Sequence, residues 1–248
     1  MRKGLNRPQL KMQSAASLHT PPSAPSSVAD PAYYGRERSS LISRIPTGTH
    51  IICDLGCGTG TTGRRLLELG KAATVVGAEL FEPAANEAAK YYQHVHVGDV
   101  ESIPMPYENH FDYVLCGDVL EHLRDPYALI RKIRGWLKPE GRLICSLPNI
   151  RNWRILADLI FKGRWEYQDS GILDRTHLRF FTCRSAKSML VDAGFAIESH
   201  ALLIYGRKKN LLNRVTGGLF IEFLATQVLL VGAIAPPAGS ATNSGSEN

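Results

Sequence analysis

No two cysteines of this chain form a CxxC pair, and none stands at zinc-ligand spacing from another ligand. The five that are present, Cys53, Cys57, Cys116, Cys145 and Cys183, are scattered, and four fall in or beside apolar runs that read as strands. A free cysteine in such a place behaves as a small hydrophobe. The pattern excludes a disulfide framework and predicts a reducing, cytoplasmic compartment. Also lacking is an unbroken apolar run of the about 20 residues that a membrane span needs. Residues 215–234 come nearest, but Glu222, Gln227 and the pair Gly217-Gly218 interrupt them. They read as a core helix followed by a strand, and no integral membrane segment is expected. The N-terminal residues have no continuous apolar core of the signal-peptide kind. Pro21, Pro22 and Pro25 spoil an amphipathic transit helix there, so residues 1–30 are expected to form a disordered tail.

A large field of one sign is missing too. The net charge is +6, but Arg2, Lys3, Arg7 and Lys11 lie in an acid-free N-terminal stretch and carry four of the six charges. The remainder is near +2, which gives no reason to expect a nucleic acid partner. The short run Arg207-Lys208-Lys209 reads as a solvated loop. What is present is ordinary for one globular domain: 44% hydrophobic and 21% charged residues. The folded unit is expected over residues 31–235, before a low-complexity tail, PPAGSATNSGSEN, over 236–248. The residues favour no particular oligomeric state.

Inside that unit, strand-like and helix-like runs alternate. Residues 50–57 (HIICDLGC), 74–80 (TVVGAEL), 94–100, 111–116 (FDYVLC) and 142–147 (RLICSL) read as five apolar strands. Helical patterns over 61–69, 83–92 and 126–137 separate them, with Gly70 ending the first and Pro83 opening the second. The turn Pro139-Glu140-Gly141 precedes the fifth strand. An insertion over 148–181 follows, then a helix near 184–193 and strands over 195–204 and 227–234. Near-continuous apolar strands in βαβ alternation predict a doubly wound α/β fold. Its sheet is mostly parallel and Rossmann-like, with helices on both faces. In such sheets ligands bind beyond the carboxyl ends of the strands, at the switch in strand order.

That is where the chemistry-bearing residues fall. The first strand ends in Asp54-Leu55-Gly56-Cys57-Gly58-Thr59-Gly60, whose alternate glycines allow a tight turn and a close backbone approach to a ligand. Glu79 closes the second strand, where a carboxylate can take both hydroxyls of a ribose. Asp99 closes the third, within Gly98-Asp99-Val100, placed to meet an adenine amino group. A single strand-end acid is as often a helix cap. Three acids at three consecutive strand ends beside a glycine loop are better explained by a nucleoside ligand.

The segments DLGCGTG, GAEL, GDVESIP, FDYVLCGDVLEHLRDP and LKPEGRLICSLPN, in this order, closely resemble the class I S-adenosylmethionine-dependent methyltransferases. The nearest likeness is to the branch of ubiquinone-pathway and polysaccharide-pathway enzymes, and it runs from about residue 33 to residue 234. The resemblance implies a seven-stranded sheet with a reversed last hairpin, and S-adenosylmethionine as cofactor. It implies that Asp54, Gly56, Cys57, Gly58 and Gly60 hold the methionine part, Glu79 with Leu80 the ribose, and Asp99 with Val100 the adenine. Gly117 and Asp118 would flank the sulfonium, and Tyr34, in DPAYYGRER, would cover the cofactor. The dehydrogenase reading fits less well, because the third glycine falls one place too early for GxGxxG and no Ser/Tyr-Lys pattern follows. A cofactor-binding protein without catalysis is the third reading.

Methyl transfer from a sulfonium is an in-line displacement, so alignment supplies much of the rate. A hydroxyl acceptor also needs a base. The candidates are Asp118, Glu121, His122, Asp174 and His177. In the ubiquinone-type branch an acid-histidine cluster at Glu121-His122 can hold a divalent metal. Here Gly117 leaves one acid of that cluster in question, Glu121 and His122 read as packing the next helix, and no metal is expected. The insertion over 148–181 reads as the substrate cover, rich in aromatics, with His177 as the base and Asp174 orienting its ring. The expected reaction is O-methylation of a small molecule or glycan hydroxyl, with nitrogen or carbon acceptors as alternatives.

Overall fold

The computed structural model describes residue 35 and residues 37–236. Seven strands form one sheet: β1 (Ile51–Leu55), β2 (Thr74–Glu79), β3 (His94–Val97), β4 (Phe111–Gly117), β5 (Leu137–Pro148), β6 (Phe195–Leu203) and β7 (Gln227–Ile234). Their order is β3-β2-β1-β4-β5-β7-β6. The first five pair in parallel, and β7 lies antiparallel between β5 and β6. The expected doubly wound sheet with a reversed last hairpin is the observed one.

Alternate residues of each central strand enter opposite layers. Ile52, Leu115, Ile144 and Leu229 pack with Leu41, Ile45 and Leu66 on one face. Cys53, Val114, Cys116, Cys145 and Leu230 pack on the other with Ile130, Ile133, Met189 and Leu190. The first face is covered by a short helix α1 (Ser39–Ile42) and by α2 (Thr61–Glu68). The second is covered by α4 (Pro126–Trp136) and α6 (Cys183–Asp192). A side chain of this kind, fully withdrawn from water, contributes about 1.5–3 kcal/mol. The period of two therefore holds both helical layers onto one sheet.

Several boundaries differ from the sequence reading, each for a local reason. The strand expected over 50–57 stops at Leu55, because Gly56 adopts φ 64° and turns the chain. The helix expected over 83–92 is α3 (Glu82–Ala88), so Tyr92 leaves the helix and turns into the core. The turn at Pro139-Glu140-Gly141 lies inside β5: Leu137 pairs with Phe111 and Arg142 with Tyr113, with a register shift between. The insertion contains an unforeseen helix, α5 (Trp153–Lys162), started by the Asn152 side chain, which accepts from Arg154 N, and ended by Gly163 at φ 61°. The core helix expected before the last strand is corrected. An exposed helix α7 (Arg207–Val215) and a short α8 (Ile221–Leu224) stand there instead, parted by Gly217 and Gly218 at φ 58° and 84°. The basic run at Arg207 accordingly opens a helix rather than lying in a loop. No helix of the described residues is long and apolar enough to cross a membrane.

Candidate functional site

The chain turns from one side of the sheet to the other between β1 and β4, whose ends are adjacent, with Leu55 beside Cys116. Gly56, Gly58 and Gly60 all have left-handed backbones, at φ 64°, 55° and 79°. The loop is pinned as it leaves the sheet, since Gly56 N and Cys57 N both donate to Ala78 O. At Gly60 a Cβ would stand 2.9 Å from Ala88 Cα, so the loop also packs against α3.

Glu79 is buried at the end of β2. It accepts from Gly58 N at 2.8 Å and from Phe81 N at 2.9 Å, and so ties the glycine loop to the second strand. A carboxylate has about four acceptor positions, so two protein donors leave room for ligand hydroxyls. Leu80 beside it is exposed. Asp99 is half-buried beyond β3 and accepts from Glu101 N at 2.9 Å, a turn of the capping kind, while Val100 is buried. Asp54 is buried and accepts from Tyr92 Oη at 2.7 Å. Burial pushes its carboxyl up to about 6, against the lowering effects of the Tyr92 hydrogen bond and of Arg38. Cys57 is buried, and burial raises its thiol, as it does those of the other four cysteines. None is therefore poised as a thiolate nucleophile.

After β4, Asp118 takes a left-handed backbone, φ 52°, rare for a residue other than glycine. Its carboxylate gathers distant parts of the chain: Arg38 Nη1 at 2.5 Å, Ser146 Oγ at 3.0 Å, and Gln227 Nε2. Arg38 also lies across Gly117, where a Cβ would come within 2.2 Å of its Cδ. A side chain at that position would displace the arginine from this path. Tyr34 lies outside the described residues.

The second cluster forms where the insertion returns to the sheet. Leu178 N and Arg179 N both donate to Glu121 O, which docks the insertion on the turn after β4. The His122 and His177 rings then meet edge to face, with centroids 4.7 Å apart. His177 is buried, and its Nδ1 lies 3.0 Å from Ile172 O. A carbonyl only accepts, so Nδ1 carries the proton, and Nε2 of the neutral ring keeps its lone pair. That Nε2 is 3.9 Å from Glu121 Oε1. His122 Nδ1 approaches Thr176 O at 3.3 Å and Thr176 Oγ1 at 3.0 Å, which fixes the same tautomer. Burial, and then His177, hold the His122 imidazole below its ordinary value.

The expected partnership of Asp174 with His177 is corrected. Asp174 Oδ1 instead accepts from Thr176 N at 2.8 Å and Thr176 Oγ1 at 2.6 Å, so it acts on His122 through that hydroxyl. Glu121 is fully buried, and neither carboxylate oxygen has a hydrogen-bond partner among the described residues. Burial, and then Asp118, push its carboxyl well up. One donor atom each from Glu121, His122 and His177 lies within 4.8 Å of the others, so this trio could take up a divalent cation, the option that the sequence reading raised at Glu121 and His122 and set below a packing role. Three aromatics of the insertion adjoin His177: Phe180 at 6.4 Å between centroids, with Trp165 and Tyr167 around Phe180.

The sequence reading missed Arg38, Tyr92, Ser146, Thr176 and Gln227. Each acts across the fold or through a neighbour's hydroxyl, and no local pattern announces such a role.

Residues 31–200 match a family model described as a methyltransferase domain. A ubiquinone biosynthesis O-methyltransferase of Xanthomonas axonopodis is 27% identical over 196 residues, 74% of this chain and 77% of that one. A demethylmenaquinone methyltransferase of Listeria welshimeri is 26% identical over 181 residues, 65% of this chain and 76% of that one. Among solved structures, an S-adenosylmethionine-dependent methyltransferase from Mesorhizobium loti shares the fold at a TM-score of 0.56 and 21% identity, covering 78% of this chain and 95% of that one.

Proposed function

The chain belongs to the methyltransferase-domain family and takes S-adenosylmethionine as cofactor, and from that premise we propose that it methylates a hydroxyl oxygen of an apolar small molecule or a glycan. The observation that carries this reading is the pair of histidines beyond β4 whose Nδ1 atoms both face backbone carbonyls, so that either ring, when neutral, keeps its lone pair on Nε2. A hydroxyl must lose a proton as it attacks, whereas an already basic amine attacks with a free lone pair.

In this reading the glycine loop and Asp54 hold the amino-acid end of the cofactor, Glu79 the ribose, and Asp99 with Val100 the adenine. Three left-handed glycines fit that cradle, because a side chain on the loop would occupy it or strain the backbone. When bound, S-adenosylmethionine supplies a methyl group on a positively charged sulfur. Asp118, with Gly117, borders that end of the cradle, and Arg38, Ser146 and Gln227 keep its carboxylate in one place. His177 accepts the acceptor's proton on Nε2. Thr176 and Asp174 hold His122 beside it, and Phe180, with Trp165 edge to face against it, offers an apolar border to the acceptor. The Xanthomonas relative, named as an O-methyltransferase, supports an oxygen acceptor.

A panel of phenols, catechols and glycosides, each paired with its amino analogue, tests the proposal. Transfer of labelled methyl to the hydroxyl compounds is the expected result, and turnover of the amines alone would overturn it.

One observation favours a second reading. The buried, unpartnered oxygens of Glu121 beside two histidine lone pairs are a donor set that suits a divalent cation. Such an ion would lower the pKa of an acceptor hydroxyl held near it. His122 and His177 would then serve as ligands, and the base would lie elsewhere.

A further inference from the structure

Two helices stand on the molecule with apolar side chains that the fold does not cover. All ten residues of α5 lie outside the core, and Ile160 and Phe161 at its end are 70% and 84% exposed. On α7, Leu211 and Val215 are exposed one turn apart, and Leu219 and Phe220, past the two glycines, are exposed as well. Exposed apolar residues scattered singly are ordinary, but successive turns of two helices are not.

The topology brings both helices to one end of the sheet. α5 follows Pro148 and α8 precedes Gln227, and these two residues are paired across β5 and β7. Asn149 Nδ2 donates to Glu222 O and Ala225 O, and Asn152 Nδ2 to Ala225 O, so the start of α5 is fastened to the segment that follows α7. Gln227 also donates to Asp118. The two helices therefore leave the sheet beside the candidate site.

The acids around them are already paired, Glu222 of α8 with Arg151 and Asp169 with Arg175, so the charges left over are cations. From Gly206 to Phe220 the chain has four cations, Arg207, Lys208, Lys209 and Arg214, and no acid. Around α5, Asp158 is taken up by Lys162 at 2.6 Å and Glu166 faces Arg164, which leaves Arg154 without an acidic partner among the ion pairs of the described residues. Short helices that combine exposed leucines or aromatics with several cations in their sequence suit the plane between lipid headgroups and acyl chains. Cations there are attracted by an anionic leaflet. A protein partner would have to bring acids to match this rim, whereas an anionic lipid surface offers them everywhere.

We propose that the exposed faces of α5 and α7 dock the chain on an anionic phospholipid surface, with the candidate site close to the bilayer. This goes beyond the choice of acceptor and does not depend on it. The docking is peripheral, since neither helix has the length to span.

Sedimentation of the full chain with phosphatidylcholine vesicles, with and without phosphatidylglycerol, tests the proposal. Binding to the anionic vesicles and little to the neutral ones is expected. The exposed pairs Ile160→Ser with Phe161→Ser, and Leu211→Ser with Val215→Ser, should each lower the partition coefficient at least about tenfold, given about 0.8 kcal/mol for each buried CH₂. The melting temperature should not move, because these residues are outside the core. Because the basic N-terminal residues remain in these variants, undiminished binding by both would assign the lipid contact to that tail and overturn the proposal. Failure of the unaltered chain to bind anionic vesicles would overturn it as well. So would a dimer, seen by analytical ultracentrifugation without lipid, that the same substitutions dissociate, since the faces would then cover each other.

Discussion

The Tyr92 hydroxyl donates to Asp54 at 2.7 Å while accepting from Gly63 N at 3.0 Å, and so joins the end of β1 to the first turn of α2. The tyrosine fills the space beneath the glycine loop, where a Cβ on Gly63 would meet its hydroxyl oxygen at 2.3 Å. The loop is thus shaped from below by one buried aromatic and from the side by Glu79.

Asp54 gives a pH prediction. Its carboxyl titrates at about 6 in the folded chain, above the ordinary 3.8. The folded state therefore holds the proton more tightly than the unfolded one. The associated stability is full below about pH 4 and is lost as pH rises through about 6. The difference at neutral pH is of the order of 3 kcal/mol. Asp54→Asn, which keeps an acceptor for Tyr92, should match the unaltered protein in urea melts near pH 4 and exceed it near pH 7. A difference that does not change with pH would mean that Asp54 titrates normally.

Glu79→Ala should weaken S-adenosylmethionine binding by about 1–3 kcal/mol, because buried donors lose their acceptor. The same change removes the hydrogen bonds that Glu79 accepts from the two backbone amides, so the melting temperature should fall with it. Calorimetric titration checks the first effect. Unchanged affinity in a folded variant would show that the ribose is held elsewhere.

Gly58→Val should cost more than a change at an ordinary loop position. At φ 55° a β-branched side chain is strained by roughly 1–2 kcal/mol, and its methyls would enter the cradle. Loss of measurable cofactor binding in a protein with native circular dichroism is the expected outcome. Retained binding would place the cofactor away from this loop.

The histidines separate the two mechanistic readings. If His177 is the base, His177→Gln should lower kcat about 10²–10⁴-fold with cofactor affinity nearly intact. Thr176→Val should cost less, through misorientation of His122, and chelators should do nothing. If the cluster binds a metal, His122→Ala and His177→Ala should both abolish the uptake of cobalt followed by its visible absorption. Chelation should then reproduce their loss of activity.

How much of this was legible depended on chain distance. The glycine loop, Glu79 and Asp99 each adjoin the end of an apolar run, so pattern and chemistry stand within a few residues of each other. Arg38 and Gln227 reach Asp118 across 80 and 109 residues, and neither neighbourhood marks them. Asp174 was matched with the wrong residue for a physical reason. An aspartate bonds readily to the backbone two positions on, and here Thr176 satisfies it before His177 can. α5 was overlooked because its aromatics suggested a pocket wall, although Asn152 and Gly163 mark its two ends.

The reversal of β7 has a practical result. Its first residue, Gln227, lies beside Pro148 at the edge that carries Asp118, while Ala233 pairs with Arg142 near the opposite rim. The polypeptide thus departs the sheet at Ile234 on the side remote from Asp118. A fluorophore or an immobilising tag joined after that strand would be anchored on the rim opposite the candidate site, so the protein could be tethered to a sensor chip with that site turned outward.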